Sequence, residues 1–194
     1  MIKVILFDCD GPIIKREMYF SQRLGIPYEK LKDFFEGDFL LCETGKKDLK
    51  EELKVHIKSW GVSKSLDELM DFWFSNEAEV DRQMTDQIFL LRQRGIKCFL
   101  ATNNEKYRTE YLWTVVGLKN FLDGLFSSCY VGYMKSHAEF WQEAYKNFSE
   151  ISKQEILVVD DDPQNVKSAQ QFGFTASLYT DFENHQNYIN EILK

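Results

Sequence analysis

The chain has 194 residues, 44% hydrophobic and 28% charged, with a net charge of -7; that length suits one core, or one core plus a small insert. The acidic excess excludes the basic footprint that a nucleic-acid or anionic-membrane partner requires, and no stretch approaches the roughly 18 apolar residues of a membrane span. Met1-Ile2-Lys3 leads into a run that meets Asp8 too early for a signal segment, and Cys9, Cys42, Cys98 and Cys129 are scattered with no C-x-x-C pair, which suits reduced thiols in a cytoplasmic protein.

The first element is Val4-Ile5-Leu6-Phe7, four β-formers bounded by Gly11-Pro12, which reads as a buried strand. It ends in Asp8-Cys9-Asp10. Two carboxylates two apart on an extended segment point to the same side, and they repel unless a cation or a shared proton relieves them. The plainer reading is a polar loop after an edge strand. Cys9 reads as a small buried filler facing away from both acids.

Strand signals then vanish until about residue 82. Leu31, Phe34 and Phe35 follow Pro27 at helical spacing. Leu49, Leu53, Ile57 and Trp60 trace one helix face that Gly61 would stop. Ser65-x-x-Glu68 is a capping-box pattern ahead of Leu69, Phe72 and Trp73. The segment 15–82 therefore reads as an all-helical insert, and 1–14 with 83–194 as the core domain.

Beyond residue 83 the order alternates. A helix carrying Ile88 and Leu91 ends before Gly95, and Lys97–Ala101 is a strand ending at Thr102. The next helix carries Tyr111, Leu112, Val115 and Val116 and stops at Gly117. Leu125–Ser128 is a short strand, followed through Cys129–Met134 by Lys135. A helix faces Phe140, Trp141 and Ala144 inward. Ile156–Val159 is a buried strand, Val166, Ala169 and Phe172 mark the helix closed by Gly173, Phe174–Leu178 is the last strand, and Ile189 and Ile192 lie on a final helix. This alternation implies an α/β fold with a doubly wound parallel sheet.

Such a sheet brings its strand ends to one rim. That rim would hold Asp8 and Asp10, then Thr102-Asn103-Asn104, then Lys135, then Asp160-Asp161-Asp162. So many carboxylates cannot stay ionised together without a cation, and hard oxygen donors with room for water suit Mg²⁺. Lys135 and Thr102 with the metal suit a dianionic phosphoryl group.

The ordered set resembles the haloacid dehalogenase (HAD) superfamily of phosphohydrolases. Asp8-Cys9-Asp10-Gly11 is similar to its Asp-x-Asp-Gly motif, Thr102 to its strand-end hydroxyl, Lys135 to its lysine, and Val158-Val159-Asp160-Asp161 to its acidic motif. The insert resembles its C1 cap, so the likeness covers the whole chain and implies a Rossmannoid, HAD-like core. The cap and Glu43-Thr44-Gly45 are most similar to the small-capped branch containing glucose-1-phosphate phosphatase and the phosphatase domain of epoxide hydrolase. Pro12 and Ser136 depart from the family's usual Thr or Val and Pro at those places, which bears on loop geometry.

The resemblance implies roles. Asp8 would be the nucleophile that carries an aspartyl-phosphate. Asp10 would protonate the leaving oxygen and then activate water, and its carbonyl would be a metal ligand. Thr102 and the amide of Asn103 would bind phosphoryl oxygens, and Lys135 would neutralise nucleophile and phosphoryl group. Asp161 would hold Mg²⁺ together with Asp8, and Asp160 would be a further ligand or an acceptor behind one. The expected activity is a Mg²⁺-dependent phosphatase acting on a small phosphorylated metabolite such as a sugar phosphate. A phosphomutase on the same scaffold and a non-catalytic phosphometabolite-binding protein are the alternatives. A receiver domain is disfavoured by the order of its acidic pair and by the insert, and a dehalogenase by the presence of Asp10.

Several residues carry plainer readings. Asp162 before Pro163 is a helix start. His137 reads as a surface or helix-start residue, Thr102 on its own as a helix cap and Lys135 on its own as a solvated lysine. Trp60, Phe72, Trp73 and Phe74 read as cap core, and Lys15 and Arg16 as solvated charges where the chain enters the cap.

Overall fold

Val4–Phe7 forms β1 with all four residues buried, at the centre of a five-stranded sheet. A computed structural model describes residues 1–15 and 20–194. The other strands are β2 (Lys97–Thr102), β3 (Gly124–Ser127), β4 (Ile156–Asp160) and β5 (Thr175–Leu178). Their order is β3-β2-β1-β4-β5, and every pairing is parallel. Parallel strands need crossovers, and helices supply them on both faces.

Alternation along the strands splits the core into two layers. Ile5, Phe7, Cys98, Leu100, Leu157 and Val159 form one cluster with Met84, Ile88 and Ile189. Val4, Leu6, Ala101, Ile156 and Val158 form another with Phe140, Trp141 and Ala169.

Between β1 and the next core helix lie α1 (Phe20–Leu24), α2 (Tyr28–Asp33), α3 (Phe39–Glu43), α4 (Leu49–His56) and α5 (Leu66–Asn76). They bury a third cluster that includes Phe20, Leu31, Phe34, Leu53, Trp60, Trp73 and Phe74. Trp73 stacks on Phe20 with ring centroids 4.5 Å apart. Local chemistry starts these helices: Asp48 caps α4, and Ser65 and Glu68 form a reciprocal capping box on α5. The two passages to the insert are tied together. Ile14 and Val80 form an antiparallel bridge, the Lys15 amide donates to Glu79 O at 2.9 Å, and the Asp81 amide to Ile13 O at 2.8 Å. Arg16 lies outside the described residues.

The core continues with α6 (Arg82–Gln93), α7 (Lys106–Glu110), α8 (Ser128–Val131), α9 (Ala138–Tyr145), α10 (Pro163–Phe172) and α11 (Phe182–Ile192). Three local details differ from the sequence reading. The helix expected to reach Trp60 ends at His56, and looser turns carry the chain to a still-buried Trp60. Tyr111–Val115 winds as a wider π-turn, which shifts the side-chain phase and leaves Val115 exposed rather than packed. The last strand starts at Thr175, with Phe174 buried just before it. Among the described residues, no helix is long and apolar enough to cross a membrane.

Candidate active site

The sheet register levels the strand ends. Phe7 lies between Leu100 and Val159, so Asp8, Thr102 and Asp160 leave three adjacent strands at one rim. The chain goes from β1 toward β2 and β3 on one side, then returns to β4 on the other. The β1–β4 boundary is therefore the switch point where such sheets open a crevice, and Asp8 and Asp160 flank it. The Asp8 amide is anchored on Val159 O at 2.8 Å, and its Oδ1 accepts from the Cys9 amide at 2.7 Å. Gly11 has φ of +99°, and a Cβ there would sit 2.5 Å from Asp161 Oδ2. Glycine is required at that position by both the backbone and the acid pressed against it.

Lys135 is the hub of the first cluster. It is 1% exposed, and its Nζ lies 2.5 Å from Asp8 Oδ1 and 2.7 Å from Asp160 Oδ2. Burial opposes its charge, but Asp8 and Asp160 outweigh that and raise its pKa. Burial pushes the Asp8 carboxyl up to about 8; Lys135 pulls it down and Asp160 adds to the rise. Asp160 Oδ1 accepts from the Asp162 amide and from Asn165 Nδ2. The Lys135 amide in turn donates to Asn103 Oδ1 at 2.9 Å. Asp8, Asp160 and Asp161 each offer one oxygen, all within 4.8 Å of one another. Three hard donors against one ammonium fit a divalent cation of the Mg²⁺ type.

Asp10 belongs to a second cluster. Arg108 on α7 forks onto it, with Nη1 to Oδ2 at 2.7 Å and Nη2 to Oδ1 at 2.6 Å. Asn104 Nδ2 also reaches Asp10 Oδ2 at 3.3 Å and gives a 2.7 Å bond to Thr102 Oγ1, while Asn104 Oδ1 accepts from Arg108. Arg108 Nη2 continues to Glu77 O, just past α5, at 3.2 Å. Burial opposes the guanidinium charge, but Asp10 more than compensates and raises its pKa. Glu105 starts α7 by accepting from the Tyr107 and Arg108 amides.

The insert meets this rim at Glu43-Thr44-Gly45. Ser128 Oγ, which accepts from the Asn104 amide, donates to Glu43 O at 2.5 Å. Gly45, at φ of +68°, lies so close to Cys129 O that a Cβ would collide with it. The Glu43 carboxyl is pushed to about 8 by burial, with Asp10 adding to the rise and Arg108 opposing it.

The expected residues thus divide. Asp8, Lys135, Asp160 and Asp161 come together, with Asn103 behind Lys135. Thr102 is buried beside Asn104 and caps no helix. The Asp10 side chain stands outside the three-carboxylate group and goes to Arg108. Asp162 caps α10 with Pro163 in its first turn, His137 is exposed, and Lys15 pairs with Glu79 at 3.4 Å. Cys9 is fully buried in the sheet cluster, and Trp60, Trp73 and Phe74 fill the insert's core. Sequence reasoning passed over Arg108 and gave no role to Asn104. The available signal was their place directly after the β2 strand end, Asn104 just ahead of the α7 cap and Arg108 in the first turn of that helix.

A family model described as haloacid dehalogenase-like hydrolase matches residues 2–173. The chain belongs to that family. A protein from Porphyromonas gingivalis described as a predicted HAD-like family hydrolase is 25% identical with a TM-score of 0.78, and the match covers 100% of this chain and 98% of that one. A HAD family enzyme from Bacteroides thetaiotaomicron, solved with magnesium and inorganic phosphate, is 19% identical at TM-score 0.79, covering 96% and 99%. L-2-haloacid dehalogenase from Xanthobacter autotrophicus shares the fold at 16% identity and TM-score 0.66, covering 94% and 79%. No curated protein matches the sequence. HAD-like membership accounts for the five-stranded parallel α/β sheet.

Proposed function

We propose that this HAD-like hydrolase is a Mg²⁺-dependent phosphatase that cleaves a small phosphorylated metabolite through an aspartyl-phosphate on Asp8. The observation that carries the reading is Lys135, buried between Asp8 and Asp160 with Asp161 alongside. A nucleophile bound to an ammonium, beside a group fit for a divalent cation, suits attack on a dianion. The Bacteroides enzyme of the same fold holds magnesium and phosphate, which supports it.

Asp8, Asp160 and Asp161 would hold the metal with the Asp10 carbonyl, and the bound ion would supply charge neutralisation at the phosphoryl oxygens. An Asp8 oxygen attacks phosphorus as the bond to the leaving oxygen breaks, and Asp10 gives that oxygen a proton. Thr102 and the Asn103 amide orient the phosphoryl group. Water then attacks phosphorus, Asp10 takes its proton, and the electron pair of the Asp8–phosphorus bond returns to the carboxylate. The insert, residues 15–82, acts as a cap on the core of 1–14 and 83–194; its separate aromatic cluster supports that division. A second carboxylate two residues after the nucleophile gives the leaving oxygen its proton, which halide departure does not need.

A screen of phosphorylated metabolites and 2-haloacids, with and without Mg²⁺, tests the reading. Metal-dependent phosphate release is expected, lost in Asp8→Asn, with trapped phosphate mapping to Asp8. Halide release without phosphate release, or turnover that survives full chelation, would overturn it.

A further inference from the structure

Arg108 is an arginine fork committed to a single carboxylate, and its place is heavily specified. It is 6% exposed. Both of its terminal nitrogens bond to Asp10, one to each oxygen, and they also serve Asn104 Oδ1 and Glu77 O. A bidentate fork fixes the plane of a carboxylate as well as its position, which a point charge cannot do. Both Asp10 oxygens face donors, so the group is fixed from two sides at once. Among the contacts described, Arg108 makes no bond to Asp8, Lys135, Asp160 or Asp161, so it acts on one partner of the chemistry alone.

We propose that Arg108 is the positioning residue for Asp10 in the second half of the reaction. It holds the carboxylate at the angle from which it takes a proton from the attacking water. The inference rests on the acid–base reading of Asp10 given above. In that half-reaction the water oxygen bonds to phosphorus, the bond from phosphorus to the Asp8 oxygen breaks, its electron pair stays on Asp8, and the water proton goes to Asp10. The first half depends less on Arg108 when the leaving group needs no proton. The bond of Arg108 to Glu77 O, on the chain leaving the insert, extends the same positioning to the cap.

The test uses the full chain with Mg²⁺ and p-nitrophenyl phosphate, whose leaving group departs unprotonated. In Arg108→Met, rapid mixing should show a stoichiometric burst of p-nitrophenolate, then a steady rate down by about 10²-fold, the cost of a misplaced catalytic group. Acid quenching should trap phosphate on Asp8 in the variant and little in the parent. Arg108→Lys, which keeps the charge and loses the fork, should show the same burst with a smaller loss, and it carries the test if the Met variant does not fold. Added guanidinium should speed the steady phase of Arg108→Ala, a rescue that a purely structural arginine would not give. A folded Arg108→Met with a steady rate within about twofold of the parent, or a slowed enzyme with neither burst nor rescue, overturns the proposal. Asp10→Asn separates the two levels: if it turns over at the parental rate, the acid–base reading fails with it, whereas a slow Asp10→Asn beside a normal Arg108→Met removes only the role of Arg108.

Discussion

Lys135 and Arg108 are both buried cations on one rim, and they answer burial in opposite ways. Lys135 presents a compact ammonium to carboxylates from two strands, with a third close by. Arg108 spends a planar fork on one carboxylate and fills out its bonding with the neutral acceptors Asn104 Oδ1 and Glu77 O. The Lys135 cluster therefore carries a surplus of negative charge, and the Arg108 pair carries none between its two members. A surplus invites a second cation and, through it, an anionic substrate. A balanced pair holds one group still. Like residues at one sheet edge can thus differ in what they do to their surroundings, one leaving charge uncompensated and one holding a single group still, and the count of opposite charges tells them apart.

Removing each cation sharpens the contrast. Lys135→Met leaves Asp8 and Asp160 buried and facing each other, and should cost about 3–5 kcal/mol of stability in urea unfolding. Mg²⁺ should restore part of that loss, since it can neutralise the same acids. A Lys135→Met variant as stable as the parent without metal would break the argument for a charge surplus.

A buried group with no charge partner offers the next comparison. His185 is 3% exposed, packs between Phe7 and Tyr179, and neither ring nitrogen has a hydrogen-bond partner. Burial lowers its pKa from 6.5 to about 4. The folded state thus resists the proton that the unfolded chain accepts. Stability from this group is fully present above pH 6.5 and is lost as pH falls toward 4, by up to about 3 kcal/mol. His185→Leu should flatten that part of the stability–pH curve while leaving stability near pH 8 equal or higher. An unchanged acid slope in the variant would refute it.

Arg108→Met should cost less than Lys135→Met, about 2 kcal/mol, because Asp10 keeps Asn104 and its side chain is 13% exposed. Equal losses at the two positions would erase the distinction. The smallest effect is expected at Gly11→Ala, about 1 kcal/mol or somewhat more, from a strained φ and a methyl pressed on Asp161. Calorimetric Mg²⁺ titration should show weaker binding in that variant, and undiminished affinity would mean Asp161 can move without consequence.

The same two clusters show what a sequence makes legible. Asp8 and Asp160 stand at the ends of apolar runs that read as strands, so the parallel sheet and their meeting followed from topology; Lys135, past a short strand and a helical turn, was marked only by its place in the order. The insert announced itself through capping chemistry at Ser65 and Glu68 and through aromatic spacing. Arg108 left almost no trace, because it sits on a short polar helix where an arginine is ordinarily solvated. Only the path of α7 over the rim turns it inward. The π-turn at Tyr111–Val115 was hidden for a related reason: an added residue per turn is a tertiary accommodation, and periodicity assumes it away. Glu43-Thr44-Gly45 was noticed as a likeness, while its physical basis, a backbone approach too tight for a side chain at Gly45, required the core surface opposite.

The bridge between Ile14 and Val80 has a consequence for how such proteins change over time. The chain departs from the sheet domain and comes back to it at adjacent backbone positions, stitched by hydrogen bonds from Lys15 and Asp81. Everything between those positions is, to the sheet, a bead hung on a closed loop. Its size and composition can be exchanged without altering the pairing of β1 with β2 and β4. An insert of another size can hang from the same two points so long as it keeps the contacts that Glu43 and Glu77 make with Ser128 and Arg108.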